Sequence, residues 1–133
     1  QNISEQSKVI TIDLPENTSK KTKFAYDNLL VKSENRSKKK HLHLKNIEQI
    51  YHDSTTLDFS ELFFNFAFID GGHDYETVKS DTLNVLKYIQ HPAVIMWHDY
   101  DVESEIGNLL HELVKEYPIK WIKQTRLAFL KID

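Results

Sequence analysis

Carboxylates and imidazoles are grouped in this chain at places where apolar runs stop. Each of four aspartates closes or directly follows a strand-like run, and His73 and His98 each lie within three residues of such an aspartate. Carboxylates hold hard divalent cations and an imidazole titrates close to neutral pH, so such groups can bind a metal and move protons. The residues are Asp13, Asp53, Asp70, His73, His98 and Asp99.

The densest of these groups lies in the segment FIDGGHDY. Its apolar run ends at Asp70, and His73 follows after two glycines. A second apolar run, AVIMW, ends in His98 and Asp99. A buried strand does not need these polar side chains for its stability. Their position at the strand ends therefore favours a functional site.

Each residue also has an interpretation that involves no chemistry. A helix cap or a turn explains Asp13 as well as a ligand contact does, and Asp53 in HDST suits an Asx turn. His73 suits a solvated loop. Asp81 suits a salt bridge or helix packing, and the phenylalanines of FFNFAFI are predicted to lie in the core.

Strands alternate with helices along the chain, which predicts an α/β fold with a mostly parallel sheet and helices on both faces. The closing segments IKWI and LAFLKI predict an antiparallel hairpin. Because parallel strands end at one edge of a sheet, the four aspartates are expected along that edge. Asp74 suits the N-cap of the second of three predicted helices. The predicted strands are Lys8–Asp13, Ile47–Tyr51, Asn65–Asp70 and Ala93–Trp97, and the predicted helices are Lys20–Leu30, Tyr75–Ile89 and Glu103–Tyr117.

Composition narrows the class of protein. A chain of 133 residues suits a single domain over residues 1–133, and the net charge of −3 gives no general attraction to nucleic acid or anionic membranes. No apolar run approaches the roughly 18 residues of a membrane span. With no cysteine and no signal-peptide pattern, a cytoplasmic location is expected. The three glycines form no phosphate-binding loop.

The segments FIDGGHDYETVKSD and AVIMWHDY resemble the class I S-adenosylmethionine-dependent methyltransferases, in particular the macrocin O-methyltransferase and cephalosporin-hydroxylase-like branch. That branch shows an IDG-x-H-x-Y segment, an acid six residues past the tyrosine, and a strand ending in HDY. The matching positions are Ile69, Asp70, Gly71, His73, Tyr75, Asp81, His98, Asp99 and Tyr100. The resemblance implies a Rossmann-like fold and methyl transfer.

The resemblance also implies roles for single residues. Asp13 would bind the ribose hydroxyls of S-adenosylmethionine, Asp53 with Ser54 would lie near the adenine, and Asp70 would belong to the same pocket. Mg²⁺ would be held by Asp70 and Asp99 with His98 beside them. His73 would act as general base on a small hydroxyl-bearing acceptor, a sugar or a phenol.

The resemblance begins at about Lys8 and contains neither the first strand of the family nor its glycine-rich loop. We therefore expect an N-terminally truncated domain, whose gapped sheet a second copy could complete as a homodimer.

Two other classes of function stay open. One is an inactive remnant that binds a metal or a ligand without turnover. The other is an interaction module that uses the basic segment Arg36–Lys45 to bind an anionic partner.

Overall fold

The computed structural model describes residues 7–15 and 45–133. Contacts divide the chain into two compact units, Gln1–Leu57 and Asp58–Asp133. The described strands and helices are β1 (Val9–Asp13), β2 (Ile47–Tyr51), β3 (Phe66–Ile69), α1 (Tyr75–Tyr88), β4 (Ala93–Trp97), α2 (Glu105–Leu113), β5 (Lys120–Trp121) and β6 (Ala128–Ile132). The single domain over residues 1–133 stays a prediction.

In the first unit, β1 and β2 pair in parallel, from Val9 opposite Ile47 to Asp13 opposite Tyr51. A side-chain bridge reinforces the pair, because Thr11 Oγ1 donates to Gln49 Oε1 over 2.6 Å. Both strands lie within the predicted spans Lys8–Asp13 and Ile47–Tyr51.

The second unit holds a four-stranded sheet with the order β3-β4-β6-β5. β3 and β4 are parallel, whereas β6 pairs antiparallel with both β4 and β5. Together with the parallel pair β1–β2, this confirms the predicted α/β fold with a C-terminal antiparallel hairpin.

The core of the second unit lies between the sheet and the helices. Along β4, Ala93, Ile95 and Trp97 are buried, while the alternate residues are only half-buried. Trp97 Nε1 donates to Thr82 Oγ1 of α1 over 2.9 Å, so this face of β4 carries α1. Indole N–H groups need such a partner when they are buried.

The first helix of this unit agrees with the sequence. Asp74 caps α1 by accepting from Thr77 N over 3.0 Å, as its position before the periodic apolar residues predicted. Val78, Thr82 and Val85 are buried along one face, and so is the acid Asp81.

The second helix, α2, is shorter at both ends than the predicted span 103–117. Ser104 caps it, because its Oγ accepts from Gly107 N over 2.9 Å, and the helix therefore begins at Glu105. After Leu113 the chain continues in turns whose amides reach back three residues, as in Glu116 N donating to Leu113 O. Such tight turns commonly finish a helix.

The prediction that the phenylalanines of FFNFAFI lie in the core is wrong for three of the four. Phe63, Phe66 and Phe68 are exposed by 73%, 55% and 48%. The reason is the alternation of side chains along a strand: Phe66 and Phe68 share one face of β3, and the buried Ile69 points to the other. An all-apolar run conceals this alternation.

Some predictions fall outside the described residues, namely the helix over 20–30 and nearly all of the basic segment 36–45. Helices on both faces of the sheet therefore stay a prediction; the two described helices contact each other. No helix in the described parts of the chain is long and apolar enough to cross a membrane.

Candidate active site

The carboxyl end of β3 leads directly into a short loop that carries Asp70 and His73. Ile69 is the last strand residue, and Asp74 already caps α1, so the intervening residues are held at both ends. A Cβ atom on Gly72 would lie 2.9 Å from Thr77 Cγ2, which is closer than side-chain carbons approach. The loop thus packs against the first turn of α1 because position 72 is a glycine.

The carboxyl end of β4 lies beside that loop. His98 N donates to Ile69 O over 3.0 Å, which continues the parallel pairing of β3 and β4 by one residue. Asp99 then adopts the left-handed conformation, with φ at 56°. This conformation is uncommon outside glycine but tolerated by aspartate, and strained residues of this kind concentrate at functional sites.

Asp99 is the centre of the cluster, and its side chain is only 14% exposed. Its Oδ2 lies 2.8 Å from His73 Nε2 and 3.0 Å from His98 Nδ1. Its Oδ1 lies 2.9 Å from Arg126 Nη1. Asp70 Oδ1 completes the group at 3.3 Å from His98 Nδ1. The two loops thus bring together all four predicted site residues of the second unit.

Arg126 was not among the predicted site residues. It lies just before β6, and because β6 runs antiparallel to β4 with Ala128 opposite Trp97, the residues before Ala128 lie beside those after Trp97. Arg126 O also accepts from Tyr100 N over 3.0 Å. The predicted hairpin already placed Arg126 just before the last strand. Only the register of β6 against β4 shows that this position lies beside Asp99.

A small cavity of about 10 Å³ lies within this cluster. That volume holds about one water-sized particle. Its lining consists of Ile69, Asp70, Gly71, Gly72, His73, Val78, His98, Asp99 and Ile106.

The two carboxyl groups of the cluster differ in acidity. Burial raises the pKa of Asp70, and the negative charge of Asp99 adds to this effect, while His98 and His73 oppose it. Burial acts on Asp99 in the same direction, but its close contacts with His98 and His73 and the charge of Arg126 outweigh it and lower the pKa of Asp99. Asp99 is therefore the carboxylate held ionised by its surroundings.

The donor set of the cluster fits a divalent cation. Asp70, His98 and Asp99 each offer one ligand atom, and these atoms lie within 4.8 Å of one another. The Nδ1 atom of His98 is shielded from solvent. Two carboxylate oxygens lie close to it, but neither is oriented to form a hydrogen bond with it. A buried nitrogen of this kind needs a partner, and a metal ion is one.

In the first unit, Asp13 ends β1 as predicted. Its Oδ2 accepts from Gln49 Nε2 of the neighbouring strand over 2.8 Å, and its carbonyl accepts from His52 N. The side chain of Asp13 is therefore oriented by β2.

Asp53 adopts the Asx turn that the sequence left open. Its Oδ1 accepts from Thr55 N over 3.1 Å and from Thr55 Oγ1 over 2.7 Å. The half-buried Ser54 lies inside this turn. Each unit thus places its aspartates after the carboxyl ends of its own parallel strands. That all four line a single edge stays a prediction.

Comparison with known families identifies the chain. A family model described as a methyltransferase domain matches residues 1–100. The chain belongs to this methyltransferase-domain family, which confirms the resemblance found in its motifs. No curated protein sequence matches the chain significantly.

Two solved structures that are similar to the chain are O-methyltransferases by name. The chain is similar to the O-methyltransferase NovP, with a TM-score of 0.60 and 12% identity over 94% of this chain and 60% of that one. It is also similar to CalS11, a TDP-rhamnose 3'-O-methyltransferase of calicheamicin biosynthesis, with a TM-score of 0.56 and 12% identity over 96% of this chain and 59% of that one. The chain therefore spans about 60% of the length of these structures.

Proposed function

We propose that the chain forms part of an S-adenosylmethionine-dependent O-methyltransferase acting on a small hydroxyl-bearing substrate, a sugar or a phenol. The observation that carries the proposal is the cluster of Asp70, His73, His98 and Asp99 at the carboxyl ends of β3 and β4, in a chain of the methyltransferase-domain family. The two similar structures are O-methyltransferases by name, which favours oxygen as the atom that is methylated.

The reaction moves one methyl group. The acceptor oxygen forms a bond to the methyl carbon while the sulfonium carbon–sulfur bond breaks, and S-adenosylhomocysteine leaves with the electron pair. The hydroxyl proton passes to a base of the site. Methyl transfer of this kind depends mainly on holding the oxygen, carbon and sulfur atoms in line.

Asp13 is proposed to accept from the ribose hydroxyls of the methyl donor, with Asp53 and Ser54 close to the adenine and Asp70 part of the same pocket. Asp13 is suited to this role because a hydrogen bond from Gln49 orients its side chain. Asp53 contributes through the turn that its side chain stabilises. These roles rest on the family motif at each position.

Asp70, Asp99 and His98 are proposed to hold a divalent cation, with Mg²⁺ as the ion that two carboxylates suit. When bound, such an ion lowers the pKa of an acceptor hydroxyl and stabilises the oxyanion. His73 and Arg126 contact Asp99 and orient it. Partners of this kind fix ligand geometry, and their loss commonly weakens metal binding about 10–100-fold.

His73 is proposed as the general base. Its Nε2 contacts Asp99 Oδ2, so the carboxylate orients the ring, as in other carboxylate–imidazole pairs. Its Nδ1 is shielded from solvent. The residues that cover this nitrogen therefore have to shift before an acceptor oxygen reaches it.

Replacing His73 by alanine is expected to lower kcat at least about 100-fold, the usual contribution of a positioned base. The measurement is transfer of a labelled methyl group from S-adenosylmethionine to a panel of sugar nucleotides and catechols. His73→Gln is the matched variant, because its amide can still donate to Asp99 but cannot take up a proton at neutral pH. Equal impairment of both variants supports the base assignment. Near-normal turnover by His73→Gln would mean that His73 only orients Asp99 and does not act as the base.

A further inference from the structure

The ligand atoms of the cluster determine which cation it prefers, and this inference rests on the proposed metal site. Of the three ligand atoms, two are carboxylate oxygens and one is the Nδ1 atom of an imidazole. An all-oxygen set of this size suits Mg²⁺, which demands hard ligands and retains several waters. A set that includes imidazole suits the first-row transition ions.

His98 is held so that its nitrogen faces the two carboxylates. Its backbone amide is fixed to Ile69 O, and its ring meets the edge of the Phe68 ring at a centroid distance of 6.0 Å. The side chain is 39% exposed, yet its Nδ1 atom is shielded from solvent. The ring thus presents Nδ1 to the cluster before any ion arrives.

Two of the three spacings between the ligand atoms are close to those of a coordination sphere. His98 Nδ1 lies 3.0 Å from Asp99 Oδ2 and 3.3 Å from Asp70 Oδ1. Neighbouring ligands of an octahedral ion with bonds of about 2.1 Å lie about 3.0 Å apart. Small outward movements of the three side chains would therefore admit an ion among them.

The other contacts of Asp99 are compatible with an ion. Its Oδ2 already lies against His73 Nε2, but a carboxylate oxygen has two lone pairs and can accept a hydrogen bond while it binds a metal. Arg126 contacts Oδ1, the other oxygen of the same carboxylate. Its charge lowers the affinity for every divalent ion alike, so it does not affect selectivity between ions of equal charge.

We propose that His98 is a metal-selecting ligand, which makes this site prefer a first-row transition ion to Mg²⁺. Mn²⁺ is the probe that separates the two possibilities, because it accepts the same carboxylate and water ligands as Mg²⁺ and also takes imidazole. The preference for a transition ion over Mg²⁺ then depends on His98 alone among the three ligands.

The test is a titration of the full chain with Mn²⁺, in which electron paramagnetic resonance measures the free ion and Mg²⁺ is the competitor. We expect Mn²⁺ to bind at least about tenfold more tightly than Mg²⁺, a difference of about 1.4 kcal/mol in binding free energy. His98→Asp, which converts the set to oxygen alone, is expected to abolish most of this preference. His91→Ala is the matched control, because His91 is exposed and contacts the carbonyl of Asp133 instead of the cluster.

A second readout does not depend on any variant. Pulsed electron paramagnetic resonance of Mn²⁺ bound to the unaltered chain is expected to show a nitrogen hyperfine coupling from His98. Binding of Mn²⁺ without this coupling, or with the same preference over Mg²⁺ in His98→Asp, overturns the selectivity while leaving the metal site in place. Failure of the unaltered chain to bind any divalent ion overturns the metal site as well.

Discussion

Replacing Asp99 by asparagine is expected to lower the free energy of unfolding of the second unit by about 1–3 kcal/mol at neutral pH, the usual net contribution of hydrogen bonds to a charged group. The carboxylate meets His73, His98 and Arg126 at once, and asparagine cannot accept from all of them with a full charge. Asparagine tolerates the left-handed backbone at this position. The loss of stability therefore measures the effect of the charge and not a strained backbone.

The pH dependence of this loss has a defined sign. The pKa of Asp99 is lower in the folded chain than in the unfolded one, so its contribution is present above the unfolded pKa and is lost as pH falls through the folded pKa. The difference between Asp99→Asn and the unaltered chain is therefore expected to vanish at strongly acidic pH. Both tryptophans lie in the second unit, so the fluorescence of Trp97 and Trp121 during urea titration measures its unfolding.

Asp70→Asn is the matched control, because it removes the other carboxylate of the cluster and is expected to act in the opposite direction. The pKa of Asp70 is raised in the folded chain, so its ionised form opposes folding once pH rises above the unfolded pKa. This variant is expected to be more stable than the unaltered chain at neutral pH and equal to it in acid. Destabilisation by both substitutions alike would contradict the assignment of opposite pKa shifts.

Replacing Gly107 by alanine is expected to destabilise the second unit by about 1–3 kcal/mol, the typical cost of overpacking. A Cβ atom there would lie 1.9 Å from the carbonyl oxygen of Asp101. That oxygen cannot move away freely, because it accepts from both the amide and the hydroxyl of Ser104. The gain in helix propensity from glycine to alanine, about 1 kcal/mol, does not offset the clash.

The control for this effect is Asn108→Ala, the next position along α2, whose side chain is exposed. Here alanine is expected to be neutral or slightly stabilising, since it only improves helix propensity. Both variants are measured by urea unfolding under tryptophan fluorescence. A Gly107→Ala variant as stable as Asn108→Ala would mean that α2 does not approach Asp101 closely.

The sequence predicted the strand ends and the polar residues that follow them, because these depend on local patterns. An apolar run that stops at Asp70, or a cap residue such as Asp74 before a periodic segment, requires no knowledge of the rest of the chain. The carboxyl-end rule for parallel strands then brought Asp70 and Asp99 together without coordinates.

The remaining features depend on pairing between distant segments. Arg126 reaches Asp99 only through the register of β6 against β4. Phe66 and Phe68 are exposed because they lie on the face of β3 that does not carry α1. When both faces of a strand are apolar, the sequence does not show which face is covered. The contact of His73 with Asp99 joins two loops that the sequence placed at one edge but could not orient.

The central claim is that the chain is part of an S-adenosylmethionine-dependent methyltransferase. Its most direct test is calorimetric titration of the chain with S-adenosylhomocysteine, with and without Mn²⁺ or Mg²⁺. We predict saturable binding that Asp13→Asn weakens, because Asp13 is the proposed ribose ligand. Absence of saturable binding by a chain whose tryptophan fluorescence shows a folded second unit would contradict the claim for this chain.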